Sequence, residues 1–143
     1  MCHENKMQLI FTAVSENESF ARSVISCFAL ILNPSISQLS DIKTAVSEAV
    51  TNAIVHAYPK DCGSITMEAK IIDETLHISI IDDGIGIDNL EQALEPFYTT
   101  KPDEERSGMG FTIMQSFMDN VKVESQKGVG TKIIMTKTIS ADR

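Results

Sequence analysis

Apolar and polar residues alternate from Met7 to Val14, with Met7, Leu9, Phe11 and Ala13 on one side and Gln8, Ile10 and Thr12 on the other. A period of two predicts a half-buried strand. The period then lengthens. Ser15 precedes Glu18 by three residues, the spacing of a capping box, so a helix is expected to begin there. It should turn Phe20, Val24, Cys27, Phe28 and Ile31 inward until Pro34 stops it. A second helix is expected through "SQLSDIKTAVSEAVTNAIVHAY", ended by Pro59. "SITMEAKII" and "LHISIID" read as a hairpin across Asp73, Glu74 and Thr75. "NLEQAL" reads as a short helix, and "MGFTIMQSFMDN" resumes helical spacing through Phe111, Met114, Phe117 and Met118. "VKVES" and "TKIIMTKTI" form a last hairpin around "QKGVG".

The order β-α-α-β-β-loop-α-β-β joins strands mostly as hairpins rather than through βαβ crossovers. The expected fold class is therefore α+β, a two-layer sandwich with helices on one face of a mixed, mostly antiparallel sheet. Its length, without repeat or linker, predicts one domain over residues 1–143.

Composition narrows the function classes. With 43% hydrophobic and 22% charged residues the chain is expected to be globular rather than disordered. A net charge of −8 with no Lys/Arg block disfavours direct nucleic-acid binding and suits solubility or a basic protein partner. Cys2, Cys27 and Cys62 are scattered, which fits neither a disulfide framework nor a zinc site but does fit a reducing cytosol. Each is expected to serve as a small buried hydrophobe. "MCHENKMQ" is too polar for a secretory signal, and "VISCFALIL" falls far short of the roughly 20 residues of a membrane span. A cytoplasmic protein without a membrane segment is expected.

Candidate chemistry lies on the second helix and in two glycine-rich joints. Glu48, Asn52 and His56 recur at i, i+4 and i+8 beside an apolar stripe of Ala45, Val46, Ala49 and Ala53. Such a stripe is either a solvated helix edge or the wall of a site. In "DDGIGI", Asp82 ends an apolar strand, and Gly84 and Gly86 let backbone approach a ligand or make a simple turn. A carboxylate accepts and cannot donate, so Asp82 is a good reader of an exocyclic amine such as that of adenine. "SGMGF" opens a helix whose free N–H groups would seat phosphate, or it is a hinge. It is not a Rossmann fingerprint, and no P-loop occurs. Thr99, Thr100, Lys101, Arg106 and Ser107 lie between the joints, in either a lid or a solvated surface run. If the joints hold a nucleotide, the stripe gains a use. Asn52 would offer an oxygen to Mg²⁺, and Glu48 would accept a proton from an attacking hydroxyl or water.

"SEAVTNAIVHAY", "DDGIGI" and "SGMGF" resemble, in the expected order, the N, G1 and G2 boxes of the GHKL ATPase superfamily, also called the Bergerat fold. "SENESFAR", "EAVTNAI", "TTKP" and "ERSGMGFT" resemble more narrowly the sporulation anti-sigma F factor (stage II sporulation protein AB) family, from Met7 to about Thr136. That resemblance implies a homodimeric protein serine kinase that binds the sigma F factor together with ATP or ADP and phosphorylates an anti-anti-sigma factor on serine. It implies Glu48 as general base, Asn52 as Mg²⁺ ligand and nucleotide contact, and Asp82 as adenine reader on a wall shaped by Gly84 and Gly86. Ser107, Gly108, Met109, Gly110 and Phe111 would cradle phosphates. Thr99, Thr100 and Lys101 would reach the nucleotide from an ATP lid at about 96–108. Thr131 would help hold adenine through water, and Arg22 would meet the protein partners. Ala57 stands where the family usually has glycine, which is expected to shift the helix end. Two other classes compete: a histidine-kinase-type catalytic domain, and a non-enzymatic nucleotide-dependent binding module, against which the presence of Glu48 argues.

Overall fold

The chain leaves its first strand, makes a round trip through two helices, and returns beside the point of departure: Thr12 pairs with Ser64. In this computed structural model, which describes residues 4–58, 63–87 and 110–140, β1 spans Glu4–Thr12 and α1 spans Glu16–Ala29. A 3₁₀ turn, Leu30–Leu32, leads to α2, Ile36–Asn52, which a π turn continues over Ala53–Ala57. Then follow β2 (Ser64–Ile72), β3 (Thr75–Asp82), α3 (Gly110–Phe117), β4 (Asn120–Gln126) and β5 (Gly130–Thr138). The expected helix at "NLEQAL" and the whole polar segment after it lie outside the described residues.

The five strands lie in the order β1-β2-β3-β5-β4, and every neighbouring pair is antiparallel. The architecture is α+β as expected, but among the described strands the sheet is wholly antiparallel rather than mixed. The reason is local: β2–β3 and β4–β5 are hairpins, and the α1–α2 round trip reverses the chain between β1 and β2.

Period-two alternation puts Ile65, Met67, Ala69 and Ile71 of β2 inward, with Leu76, Ile78 and Ile80 of β3 beside them. Ile42, Ala45, Val46, Ala49 and Val50 of α2 and Met114 of α3 close the core from the helix side. Each fully buried isoleucine or methionine there is worth roughly 1.5–3 kcal/mol of transfer free energy. Lys137, on β5, fastens the helix layer: its Nζ donates to the Phe117 carbonyl at 2.6 Å and lies 3.8 Å from the Asp41 carboxylate of α2. One ammonium thereby ties the end of α3 to α2 and to the sheet.

Two details of α1 depart from expectation. Ser15 has helical backbone angles, φ −59° and ψ −30°, and makes no capping bond. Glu18 is instead drawn towards α2, where it accepts the Ser47 hydroxyl at 2.9 Å, and it also meets Arg22 at 3.7 Å. The capping box forms at α2, where the Gln38 N–H donates to Ser35 Oγ and the Ser35 N–H donates to Gln38 Oε1. The buried face of α1 is Ala21, Ile25 and Ala29, with Val24 and Phe28 packed partly against the core. Phe20 and Ile31 are 48% and 58% exposed, and Cys27 is exposed rather than buried. Close helix packing selects the small side chains for the contact, so residue size misplaces the face by one position.

Candidate functional site

Asn52 is the last residue of α2, and the helix widens at Ala53 into the π turn. The expected α-helix through Tyr58 therefore does not persist. His56 lies within this π turn rather than on the α-helix that carries Glu48 and Asn52. Ala57 closes the π turn, and its carbonyl accepts the Ile85 N–H at 3.0 Å. Gly84 lies so close to that carbonyl that a Cβ would overlap it. The Tyr58 hydroxyl accepts the Asp83 N–H and donates to the Ser64 carbonyl, each at 2.8 Å. The end of the α2 segment is thus stitched to the loop after β3.

Asp82 continues the inward row of β3 and is 7% exposed, a buried carboxylate between Ile65 of β2 and Thr131 of β5. Its Oδ1 accepts the Gly84 N–H at 2.9 Å. Burial pushes its pKa above the ordinary 3.8; the Gly84 and Thr131 backbone N–H groups pull the other way, and the Asp83 charge adds to the rise. Burial also raises the Tyr58 phenol, countered by the Asp83 N–H and helped by the charges of Asp82 and Asp83. Thr131, the cross-strand partner of Asp82 on β5, is the other buried polar side chain among the described residues. Gly86 takes a left-handed φ of +76° beside the Gln126 carbonyl.

Within the helix layer, the end of α2 meets the start of α3 at Asn52. Gly110 opens α3 directly against it: a Cβ there would come 3.1 Å from Asn52 Nδ2 and 3.3 Å from Oδ1. The structure therefore brings Asn52 to the start of α3, and Asp82, Gly84 and Thr131 together at the end of the sheet. Glu48 is half-buried one turn before Asn52, and Phe111 packs partly against the core. Thr99, Thr100, Lys101, Arg106, Ser107, Gly108 and Met109 lie outside the described residues.

Residues 11–137 match the model of the histidine kinase-like ATPase domain family. The chain is 60% identical over 134 residues to the anti-sigma F factor of Clostridium acetobutylicum, covering 94% of each. It belongs to the anti-sigma F factor family. Two solved structures share the fold of this family member at low identity. One contains the RsbU and RsbW domains of a Mycobacterium tuberculosis protein, with a TM-score of 0.68 and 18% identity; the match covers 94% of this chain and 32% of that one. The other is the catalytic domain of the histidine kinase ThkA, with a TM-score of 0.60 and 17% identity, covering 93% and 96%.

In this family member, Arg22 is a residue of α1. It stands with Lys43 among Ser23, Ser26, Ser40 and Thr44 in an open groove of about 640 Å³ between α1 and α2. The Glu18 carboxylate connects Arg22 to Ser47, the neighbour of Glu48 in sequence. No helix of the described residues is long and apolar enough to cross a membrane.

Sequence reasoning passed over two residues. Tyr58 carries no local signal, because its partners Ser64 and Asp83 lie six and 25 residues further along the chain. Ser125 did carry one: it ends the half-buried row Val121, Val123 of β4, as Asp82 ends that of β3.

Proposed function

We propose that this chain is a nucleotide-dependent anti-sigma factor and a protein serine kinase. It would inhibit the sporulation sigma F factor and inactivate an anti-anti-sigma factor by phosphorylating it on serine. The observation that carries the reading is the approach of Asn52 to Gly110, which sets a neutral oxygen donor at the mouth of α3. The family membership, the buried Asp82 and its partner Thr131 support the same assignment.

In this reading Asp82 accepts a hydrogen bond from the adenine amine, and Thr131 supports it through water. Gly84 and Gly86 keep that wall flat. Gly110 and Phe111, with Ser107, Gly108 and Met109, surround the phosphates with N–H donors, and Thr99, Thr100 and Lys101 close over them from a lid at about 96–108. Asn52 fits Mg²⁺ through its amide oxygen, since this ion keeps waters and shares phosphate oxygens. Bound there, the ion would neutralise charge between the phosphates. Glu48 accepts the proton of the incoming serine hydroxyl. Arg22 meets both protein partners, and the chain works as a single cytoplasmic domain, 1–143, in a homodimer.

The deciding experiment incubates the chain with γ-labelled ATP, Mg²⁺, the sigma F factor and the anti-anti-sigma factor. Label on an anti-anti-sigma serine supports the kinase; label on histidine favours a histidine-kinase-type domain. Absence of label, with nucleotide-dependent capture of the sigma factor, favours a binding module.

The Asp82 shift adds a pH signature. Between 3.8 and its raised folded pKa the folded chain holds more protons than the unfolded one, so this group lowers stability as pH rises through that window. Binding an amine requires the ionised form and so has the opposite preference. ATP affinity should fall on acidification, with the step centred above the ordinary 3.8, and Asp82→Asn should lack that step. Titration calorimetry across pH tests this; matching profiles for the two proteins would remove Asp82 from base recognition.

A further inference from the structure

Three strands each end their inward row with a polar side chain, and the register sets these side by side. Asp82 of β3 pairs with Thr131 of β5, and Thr131 pairs with Ser125 of β4. Ser125 Oγ sits at the centre of a closed set of contacts. It lies 2.8 Å from the Ile87 nitrogen, 3.0 Å from the Gly130 carbonyl oxygen and 2.8 Å from Thr131 Oγ1.

The direction of each bond follows from what each atom can do. A backbone N–H only donates and a carbonyl only accepts, while a hydroxyl has one proton and two lone pairs. The Ile87 N–H therefore donates to Ser125, and the proton of Ser125 goes to the Gly130 carbonyl. The second lone pair of Ser125 is then left for the Thr131 hydroxyl, which must donate. If Ser125 instead donated to Thr131, the Gly130 carbonyl would lose this bond in a half-buried place. The arrangement that satisfies every group consumes the Thr131 proton, so Thr131 shows only lone pairs on the side away from Ser125.

We infer that Ser125 is a positioning residue for base selection: by taking the Thr131 proton it makes Thr131, like ionised Asp82, an acceptor only, and so selects a 6-amino purine over a 6-oxo purine. The inference rests on the nucleotide-binding reading above and deepens it. A 6-oxo base would put a carbonyl oxygen against a wall without a donor, since a water shared by Asp82 and its cross-strand partner Thr131 gives both protons to these acceptors and turns only lone pairs to the base. Without Ser125, the Thr131 hydroxyl is free to turn its proton towards that oxygen.

The test compares ATP with inosine triphosphate, which differs only at the six-position edge, by calorimetry with Mg²⁺ present. Ser125→Ala should narrow the ratio of the two affinities about tenfold, the worth of roughly one hydrogen bond, and Ser125→Thr should restore it. A merely structural Ser125 would weaken both nucleotides together and leave the ratio unchanged, which overturns the inference. If the alanine variant does not fold, Ser125→Cys, which keeps the volume and weakens the bonds, is read by the same ratio. In a Thr131→Val background Ser125→Ala should move the ratio no further; an added change there also counts against it. A wild-type chain that binds neither nucleotide overturns the nucleotide reading and this inference with it. A chain that binds both but keeps its ratio in Ser125→Ala overturns the inference alone.

Discussion

Glu48→Gln is expected to slow phosphoryl transfer to serine by about 10²- to 10⁴-fold, the usual worth of a positioned general base, and to leave ATP affinity nearly intact. Glutamine keeps the size and the acceptor oxygen of glutamate on the same turn of α2 but cannot take the serine proton. Asn52→Ala should separate from it. Asn52 is the residue that meets the start of α3, so its loss should weaken Mg²⁺–ATP binding itself, by about tenfold or more if one charge-assisted contact is lost. Single-turnover phosphorylation for Glu48→Gln and calorimetry for Asn52→Ala measure the two effects. Full activity in the first variant would take Glu48 out of the chemistry. Wild-type Mg²⁺–ATP affinity in the second would take Asn52 off the metal.

Gly130→Ala should be among the most damaging small substitutions in the sheet. Gly130 holds φ at +140°, and a Cβ there would overlap the Asp82 carbonyl oxygen and come within 2.9 Å of Asp83 Cα. Neither is a side chain that can swing aside. The backbone of β5 must shift, and with it the Thr131 partner of Asp82 and the carbonyl that Ser125 donates to. Strain of this kind costs on the order of 3 kcal/mol. For a chain of this size that corresponds to a fall in Tm of roughly 10 °C. ATP binding should weaken in the same variant, because the base-reading wall is built on the displaced strand. Thermal unfolding followed by circular dichroism checks the first effect, and an unchanged Tm would show that the β3–β5 junction is looser than this geometry.

The two effects illustrate how different parts of this protein are written in its sequence. The glycine-rich joints, the Glu48–Asn52 spacing and the row that Asp82 terminates are all local patterns. They were readable because each is a property of a few consecutive residues. The α1 start was not: Ser15 and Glu18 have the spacing of a capping box, yet Glu18 finds a better donor in Ser47 of the neighbouring helix. The inward face of α1 was misread for a related reason, since the small Ala21 and Ala29, not the large Phe20 and Ile31, lie against the neighbouring elements.

What the sequence by itself determined was periodicity: among the described residues, alternating rows for five strands, a longer period for three helices, and glycines at the turns. These follow from covalent geometry, in which successive strand residues face opposite sides and helix residues three or four apart share one. Only the tertiary structure decided that Asp82, Thr131 and Ser125 stand in one line, that α2 opens into a π turn to hand the Ala57 carbonyl to Ile85, and that Asn52 meets Gly110. Each of those joins residues far apart along the chain. Strand register and helix packing arise when the whole core closes, and no stretch of neighbouring residues contains that information.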